Sequence, residues 1–396
     1  MNILFTSFAY YPQTSGVPIV VQYLAEGLVQ RGHKVCVATR KNGQDLPETD
    51  LVNGVEVRRF DIGQTIFKKN VGSIEEYIRF VVGYVKDILV LECFQCQTTD
   101  ILLPHLSEMK CKVIIHSHGG PGIHQRFIKW ETDLKHSIGN SHNWMRWKKY
   151  YRKTIPRYSK FIDSVVCLSL CASDISYMTA RMKSVEIVEN AAQPFFFDES
   201  QYCKDVSKIL QIKHKNYILC IANYIPNKGQ KDIIKAFSRI NTKDLSLVLI
   251  GSIENTYYKE LCTYANIINQ TTGKEIKLLT NIDRNLFPAI IHNSLLFIMA
   301  SEHEEYPVSL VEAMAVGTPF VSTNAGCARL LPGGVTVLSK KDLSFVIQML
   351  ITHPEMLQKY GDQGRVYALN NNTTDIAIAR FESVLNNTLN NESSLV

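Results

Sequence analysis

Apolar strand-like runs alternate with helical patterns along most of the chain. The opening run, MNILFTSF, is followed by apolar residues at helical spacing from Val20 to Leu28, by Gly32, and by a second apolar run, HKVCVAT. A strand, a helix and a strand within about forty residues predict a βαβ unit with a right-handed crossover in a parallel sheet.

The alternation continues through residue 168, lapses at residues 189–194 and restarts after residue 215. The first half is predicted to contain a helix at 73–86 and strands near 90, at 112–115 and at 164–168. The second half contains five strand-like runs, NYILCIA, LSLVLIG, EIKLLT, SLLFIM and TPFVST, with helices predicted at 231–240 and 285–292. Since 396 residues exceed the roughly 250 to 300 that one core supports, two α/β domains are expected.

Composition and cysteine usage indicate the broad class of the protein and its redox compartment. An apolar share of 45% and a charged share of 20% are ordinary for a soluble globular enzyme. The ten cysteines show no disulfide framework and no leader segment is recognisable, so a reducing cytosol is expected. Cys93 and Cys96 form a C-x-x-C in an apolar stretch without a second pair for zinc; we interpret them as buried thiols, with a redox pair as the alternative.

The net charge of +6 is unevenly distributed. From Leu134 to Ile162 there is no acidic residue, and the segment from Trp144 to Lys160 interleaves basic with aromatic residues. This pattern suits the interface of an anionic membrane, and it equally suits a solvated helix with an aromatic underside. Nucleic acid is a weaker third interpretation, because the patch has no reader motif.

Four strand-to-helix junctions carry candidate chemistry. In an open parallel sheet, ligands bind at the carboxyl ends of the strands, where helix N-termini present free amide groups. Ser15-Gly16 would let the backbone approach a phosphate, or form a simple turn. His116 to Gly120 follows an apolar strand; a histidine there can bond a sugar hydroxyl, or serve a structural role.

The other two junctions lie in the second half. Lys228, between Asn227 and Gly229, begins a predicted helix, where a cation is unfavourable unless an anion sits beside it; a plain surface lysine is the alternative. Glu304 and Glu312 are separated by seven residues, with one carboxylate ahead of a helix and the other inside it. Such carboxylates can accept paired hydrogen bonds from vicinal sugar hydroxyls, although helix starts also favour solvated acids.

These motifs together resemble family 4 glycosyltransferases of the GT-B type. MNILFTSFAYYPQTSG resembles the family's opening, KVIIHSHGG its histidine loop, ILCIANYIPNKGQKDIIKAF its phosphate-binding strand and helix, and EHEEYPVSLVEAMAVGTPFVST its most specific segment. The resemblance implies two Rossmann-like β/α/β domains facing each other across a cleft. Residues 1–195 would bind the acceptor and 196–374 the nucleotide-sugar, with a helix at about 375–392 packing back on the first domain.

The resemblance also implies roles for individual residues. Glu312 would bind the ribose hydroxyls, Glu304 the donor sugar, and Lys228 the diphosphate. His118 would touch the donor sugar, with His116 the less favoured of the two histidines. The remaining donor-binding positions would be Gly16, Asn223, the backbone of Tyr306, Pro307, Val308 and Ser309, and, for the nucleobase, Gly251 and the strand end at 277–280.

The chain departs from the family pattern near the diphosphate. Asn223 replaces the arginine that commonly accompanies Lys228, and Glu305 and Pro307 replace two glycines of the family's loop. The linker between the domains reads Asn190 to Gln193, and one glycine of a usual pair remains at Gly16. Another cation, such as Arg126, is hypothesised to compensate for the missing arginine.

The expected function is a retaining, metal-independent hexosyl transfer from a UDP- or GDP-linked sugar to a glycan or lipid-linked acceptor. No D-x-D triad is present, and no cofactor or nucleic acid is expected. The expected setting is bacterial cell-surface polysaccharide or lipopolysaccharide assembly, in the cytoplasm at the inner face of the membrane. The alternatives are a non-catalytic nucleotide-sugar-binding protein, an epimerase of the same fold, and a nicotinamide-dependent dehydrogenase, against which the lack of G-x-G-x-x-G argues.

Overall fold

The computed structural model describes residues 1–13, 16–43, 45–65, 69–120, 123, 143–242 and 244–390. The chain forms two compact units. The first comprises Met1–Glu189 and Ala377–Val396, and the second comprises Asn190–Ile376. The boundary therefore lies inside the segment where the sequence pattern lapses, six residues before the predicted position at 195/196.

The first unit is built around one large, mainly parallel sheet. Its strands are β1 (Asn2–Ser7), β2 (Lys34–Arg40), β3 (Thr49–Val52), β4 (Val55–Phe60), β5 (Ile62–Gln64), β6 (Asn70–Gly72), β7 (Ile88–Glu92), β8 (Lys112–His116), β9 (Ser164–Cys167) and β10 (Val185–Ile187). Its helices are α1 (Val17–Gln30), α2 (Ile74–Gly83), α3 (Gln97–Leu102), α4 (Ile155–Tyr158) and α5 (Ile175–Thr179). Residues 143–149 are helical and continue into α4 through a π-helical turn, Tyr150–Thr154.

Strand order in this sheet is β10-β9-β8-β7-β1-β2-β4-β3. All of its described pairs are parallel except β3 with β4, and β5 and β6 form a separate antiparallel pair. Because β1 has β2 on one side and β7 on the other, the strand order reverses there. The loops that follow β1 and β7 therefore flank the position where open α/β sheets bind ligands.

The second unit has a parallel sheet of the order β13-β12-β11-β14-β15-β16. Its strands are β11 (Asn216–Ile221), β12 (Leu245–Gly251), β13 (Glu275–Thr280), β14 (Leu296–Met299), β15 (Phe320–Thr323) and β16 (Gly334–Val337). Its helices are α6 (Ser207–Leu210), α7 (Gln230–Ser238), α8 (Thr256–Thr272), α9 (Phe287–His292), α10 (Val308–Ala315), α11 (Leu343–Ile351) and α12 (Pro354–Asn371). Here the order reverses between β11 and β14.

The last helix, α13 (Thr374–Asn390), begins in the second unit and ends in the first. Its Phe381 ring stacks on Phe5 of β1 with 6.0 Å between centroids, and its Glu382 pairs with Arg31 and His33 beyond α1. Gly27 of α1 provides the space for Ile378, because a Cβ at Gly27 would lie 2.2 Å from the Ile378 side chain. This helix thus completes the core of the first unit.

The five strands predicted in the second unit are present, as are the early βαβ unit and the strands near 90, 112 and 164. The hairpin of β3 and β4 was missed, and so were the short strands β10 and β16. The hairpin turns at Asn53-Gly54, both with positive φ, which is the residue pair that a tight two-residue turn favours. Its strands mix polar with apolar residues, because one of them is an edge strand.

Candidate functional site

Lys228 and Glu304 meet at the reversal point of the second sheet. Lys228 lies in the loop after β11, and Glu304 lies in the loop after β14. The Lys228 Nζ donates to Glu304 Oε1 at 2.5 Å, and the two side chains keep 24% and 15% of their surface exposed. The carbonyl of Asn227 also accepts from the amide of Glu302 at 2.8 Å. Two residues predicted separately from sequence are therefore adjacent, at an edge that a ligand can reach.

Gly229 fixes the position of Lys228. Its φ is +71°, and a Cβ at this position would lie 2.2 Å from the carbonyl oxygen of Ala300. A side chain is excluded both by the backbone conformation and by the close approach of the chain after β14. The glycine therefore brings the two loops together.

Residues 300–307, between β14 and α10, are called the acidic loop, and Gly326 packs against this loop. Its φ is +59°, and a Cβ there would lie 2.5 Å from the carbonyl oxygens of Glu304 and Glu305. The amide of Cys327 donates to the Glu305 carbonyl at 3.1 Å. Sequence analysis missed this glycine, although its place directly after the strand TPFVST was a usable signal.

Tyr306 anchors the acidic loop to the ends of the second unit. Its carbonyl accepts from Asn190 Nδ2 at 2.8 Å, and its hydroxyl accepts from Asn372 Nδ2 at 2.9 Å. Asn372 Nδ2 also donates to the Asn190 carbonyl at 2.9 Å. The buried side chain thus serves the packing of the loop, a role that the sequence did not suggest.

The loop leads directly into helix α10. Pro307 is its N-cap residue, Val308 its first residue, and Ser309 is partly exposed in its first turn. Pro307 offers no side-chain cap to the first amide groups of the helix, which are therefore suited to receive an anion. Contact of residues 306–309 with the donor stays a prediction.

Glu312 is buried in α10 and bonded to an arginine. Its exposure is 2%, and its Oε1 accepts a close hydrogen bond from Arg284 Nη2. Burial raises the pKa of Glu312, and the adjacent Arg284 charge opposes that rise. Sequence analysis missed Arg284; the available signal was a basic residue shortly after the strand EIKLLT.

Gly251 and Asn223 lie beside the loop after β11. A Cβ at Gly251 would lie 2.4 Å from the Tyr224 ring, so packing explains this glycine. Asn223 is exposed, and its Oδ1 accepts from the Ser252 hydroxyl at 2.8 Å. The predicted nucleobase contact at Gly251 and donor contact at Asn223 stay predictions.

In the first unit, the residues expected from sequence follow β1 and β8. Gly16 is exposed at the N-cap of α1 with a φ of +60°, and Ser15 lies outside the described residues. His118 Nε2 lies 2.8 Å from Glu92 Oε2, the carboxylate at the end of β7. His116 Nδ1 lies 3.2 Å from the same oxygen. Glu92 was not predicted, although an acid ending the apolar run ILVLE was a visible signal.

Charge pairing governs ionisation in this cluster. Burial opposes ionisation of Glu92, but His116 and His118 outweigh it and lower its pKa from 4.5 to about 2. Burial, reinforced by His116, lowers the pKa of His118. A neutral His118 that donates Nε2–H to Glu92 has one fixed tautomer and orientation. Glu92, His116 and His118 also offer three potential metal-ligand atoms within 4.8 Å of one another; the geometry given above is that of hydrogen bonds.

A cavity of about 390 Å³ opens at the reversal point of the first sheet. It is lined by residues 7–9, 17–18, 64 and 92–97. Cys93 and Gln95, both in its wall, have positive φ values, a strained conformation that often marks a binding loop. Cys93 and Cys96 are partly exposed in this wall, so the prediction that they are fully buried is wrong. Desolvation still raises the pKa of both thiols, which disfavours the reactive thiolate.

The basic aromatic segment is a helix with two distinct faces. Tyr150, Tyr151 and Ile155 are buried, whereas Met145 is 56% exposed. The exposed basic residues are Lys148, Lys149, Arg152, Lys153, Arg157 and Lys160. Arg126, the proposed compensating cation, and residues 134–142 lie outside the described residues. None of the helices in the described part is both long and apolar enough to cross a bilayer.

Comparisons with known proteins find similarity to glycosyltransferases. Residues 204–333 match the family model described as "Glycosyl transferases group 1". The chain is 24% identical over 337 residues to an uncharacterized glycosyltransferase of Methanocaldococcus jannaschii, covering 82% of this chain and 81% of that protein. It is 20% identical over 351 residues to the GPI3 subunit of phosphatidylinositol N-acetylglucosaminyltransferase of Saccharomyces cerevisiae, covering 86% and 72%.

The fold is shared with solved structures. The HepE protein of Anabaena, solved in complex with UDP and glucose, superposes with a TM-score of 0.71 at 16% identity, covering 98% of this chain and all of that one. Two parallel-sheet α/β units of this kind form the GT-B architecture, which confirms the predicted fold class.

Proposed function

We propose that this chain, a GT-B glycosyltransferase with a group 1 domain, moves a hexose-type sugar from a nucleotide-sugar to a glycan or lipid-linked acceptor. The observation that carries the proposal is the pairing of Lys228 with Glu304 beside the N-terminus of α10. These groups stand at the reversal point of the second sheet, where α/β proteins bind nucleotides. The structural relative that holds UDP and glucose supports a uridine-linked donor, with a guanosine-linked donor as the alternative.

The chemistry requires departure of a nucleoside diphosphate from the anomeric carbon. Lys228 and the first amide groups of α10 would stabilise the charge that develops on the leaving phosphate. Glu304 would then contact the donor sugar, once the diphosphate has taken over the Lys228 ammonium. Retention of anomeric configuration is part of the proposal and follows from the family resemblance.

His118 is also proposed to contact the donor sugar, as the family resemblance implies. Its hydrogen bond to Glu92 holds the ring in one orientation, so that a sugar hydroxyl meets the remaining ring nitrogen. Metal independence is proposed from the missing D-x-D triad and is tested by adding EDTA, which should leave turnover unchanged.

A thermal-shift screen of UDP- and GDP-linked sugars identifies the donor. The true donor should raise the melting temperature in a concentration-dependent manner, because binding to the native state stabilises it by mass action. A pure binding protein would show the shift without acceptor-free hydrolysis of the donor, so slow hydrolysis separates an enzyme from the non-catalytic alternative. If neither UDP- nor GDP-linked sugars shift the melting temperature, the proposed donor class is wrong.

A lipid-linked acceptor is proposed from the exposed basic face of residues 148–160. A helix face that has cations outside and aromatic side chains beneath suits anionic headgroups. The yeast relative's name includes phosphatidylinositol, which supports a lipid-linked acceptor by analogy. The proposed setting is cell-surface polysaccharide or lipopolysaccharide assembly, at the cytoplasmic face of the membrane.

Flotation with anionic vesicles tests this membrane contact. Wild type should float with phosphatidylglycerol vesicles, less so at high salt, and a variant with Lys148, Lys149, Arg152 and Lys153 changed to Glu should not. The matched control reverses four exposed cations of the second unit, Lys231, Lys235, Arg239 and Lys259, and should float like wild type. Equal loss of flotation in both variants would mean that net charge, and not this helix face, causes binding. If wild type does not float, the proposed membrane contact is wrong.

A further inference from the structure

Arg284 is the charged side chain that contacts Glu312 among the described residues, and its surroundings hold it in place. Its Nη2 donates to Glu312 Oε1, and its Nε donates to Gln193 Oε1 at 3.2 Å. The guanidinium carbon lies 5.4 Å from the Phe196 ring centre and 5.8 Å from that of Phe287. An arginine fixed by two hydrogen bonds and two rings is organised before any ligand arrives.

Glu312 needs such a partner because it is buried. A carboxylate without a nearby cation would be protonated in this environment, since desolvation favours the neutral form. The hydrogen bond from Arg284 uses Oε1, so Oε2 is the oxygen that can receive a ligand hydroxyl. A carboxylate accepts two hydroxyl donors more strongly than a neutral acid does.

We infer that Arg284 is a positioning residue that holds the Glu312 carboxylate by Oε1 and directs Oε2 at the ribose hydroxyls of the donor. This inference rests on the proposed function, because it needs a nucleotide at the edge of the second sheet. Arg284 does not replace the arginine that is missing at position 223, because it lies elsewhere and has a different task. Arg284 acts on Glu312 and thereby on the nucleoside, whereas Lys228 acts on the diphosphate.

Two further side chains contact the C-terminal end of α10. His292 Nδ1 bonds the Val316 carbonyl at 3.0 Å, and Arg365 Nη1 bonds the Ala315 carbonyl at 2.6 Å. Glu304, in the preceding loop, is paired with Lys228. Among the described residues these groups do not bond the Glu312 side chain, so its ionisation depends on Arg284.

Titration calorimetry of wild type and Arg284→Gln with UDP and with uridine, from pH 6 to pH 9, tests the inference; GDP and guanosine replace them if wild type binds only GDP. The variant should bind both the diphosphate and the nucleoside about tenfold more weakly at pH 7. Because Glu312 then ionises at higher pH, the affinity of the variant should recover as the pH rises. The acidic limb of the plot of affinity against pH should therefore move to higher pH. Arg284→Lys should restore part of that limb, and Glu312→Gln should remove it.

Arg365→Gln is the matched control. Arg365 also lies over a ring, that of Tyr202 at 5.7 Å, and pairs with a carboxylate, Glu199 at 2.9 Å. Its loss should lower stability without moving the binding profile. If Arg284→Gln weakens the binding of UDP but not of uridine, Arg284 is a phosphate contact and the inference is overturned. An unchanged pH dependence of affinity in Arg284→Gln would also overturn it. If wild type binds neither UDP nor GDP, the proposed function itself fails.

Discussion

Glu304 and Glu312, the two carboxylates predicted to bind the donor, are each paired with a cation that lies far away in the sequence. Glu304 is paired with Lys228, 76 residues distant, and Glu312 with Arg284, 28 residues distant. A phosphate that reaches Lys228 competes with Glu304 for the same ammonium, which weakens the bond to Glu304 as the phosphate binds. Donor binding and the placement of Glu304 are therefore coupled in the proposed mechanism.

Sequence motifs identified Lys228, Glu304 and Glu312 because the family's local spacing carries them. Arg284 and Glu92 could not be found in that way, since their partners are contributed by other strands of the sheets. Asn372 was missed for the same reason: its amide reaches Tyr306 only after α12 has packed. Local pattern thus indicated the candidate donor-binding residues but not the distant residues that contact them.

Glu92→Gln tests the cluster around His118. Loss of the charge should lower the free energy of unfolding at neutral pH by about 1 to 3 kcal/mol, the scale of hydrogen bonds to a charged group, because the ionised acid bonds both histidines. This stabilisation is present above pH 4.5 and is lost as the pH falls through about 2, so at pH 3 the difference should shrink to under about half. Urea unfolding at both pH values measures it, and turnover should fall with loss of His118 orientation.

Asp50→Asn serves as the control in the same unit, because Asp50 pairs with the buried Arg59 at 3.1 Å and lies in β3, the edge strand that β1, β2 and β4 separate from β7. It should leave turnover unchanged. Equal turnover in wild type and Glu92→Gln would mean that Glu92 does not position His118.

Around the candidate donor site of the second unit, strands and helices are joined by glycines with positive φ. Gly229 and Gly326 bring the loops after β11 and β15 against the acidic loop, and neither tolerates a Cβ. The parallel strands were predictable because they are buried on both faces and read as apolar runs. The β3–β4 hairpin was not, since its strands mix polar with apolar residues and β3 lies at the sheet edge.

Gly229→Ala should impair the donor site more than it impairs the fold. The new Cβ would contact the Ala300 carbonyl at 2.2 Å, so the loop with Lys228 must move away from Glu304. We expect a cost of about 1 to 3 kcal/mol in unfolding free energy from strain, and a larger loss in kcat/KM for the donor.

Gly273→Ala is the matched control for this substitution. Gly273 has nearly the same φ, +68°, and a Cβ there would meet nothing within 4 Å. It should cost stability through the same strain and leave kcat/KM unchanged. Equal kinetic effects in the two variants would remove the argument that Gly229 positions Lys228.

The whole chain consists of two α/β units, each with a reversal point in its sheet. In the first, the reversal point opens into the cavity beside Glu92; in the second, it carries Lys228 and Glu304. Sequence predicted two such units, because the apolar pattern lapses once near residue 190 and then restarts. The contribution of α13 to the core of the first unit comes from residues such as Phe381, whose partner Phe5 lies at the opposite end of the sequence.

Release of nucleoside diphosphate from the donor found in the screen tests the central claim most directly. Wild type should release it slowly without acceptor, and Lys228→Ala should lose roughly 2 to 3 kcal/mol of transition-state stabilisation, the scale of a hydrogen bond to a charged group. Lys235→Ala, which removes an exposed lysine from α7, should match wild type. Release no faster than in buffer, or an unchanged rate in Lys228→Ala, would contradict the assignment of this edge as the donor site of a glycosyltransferase.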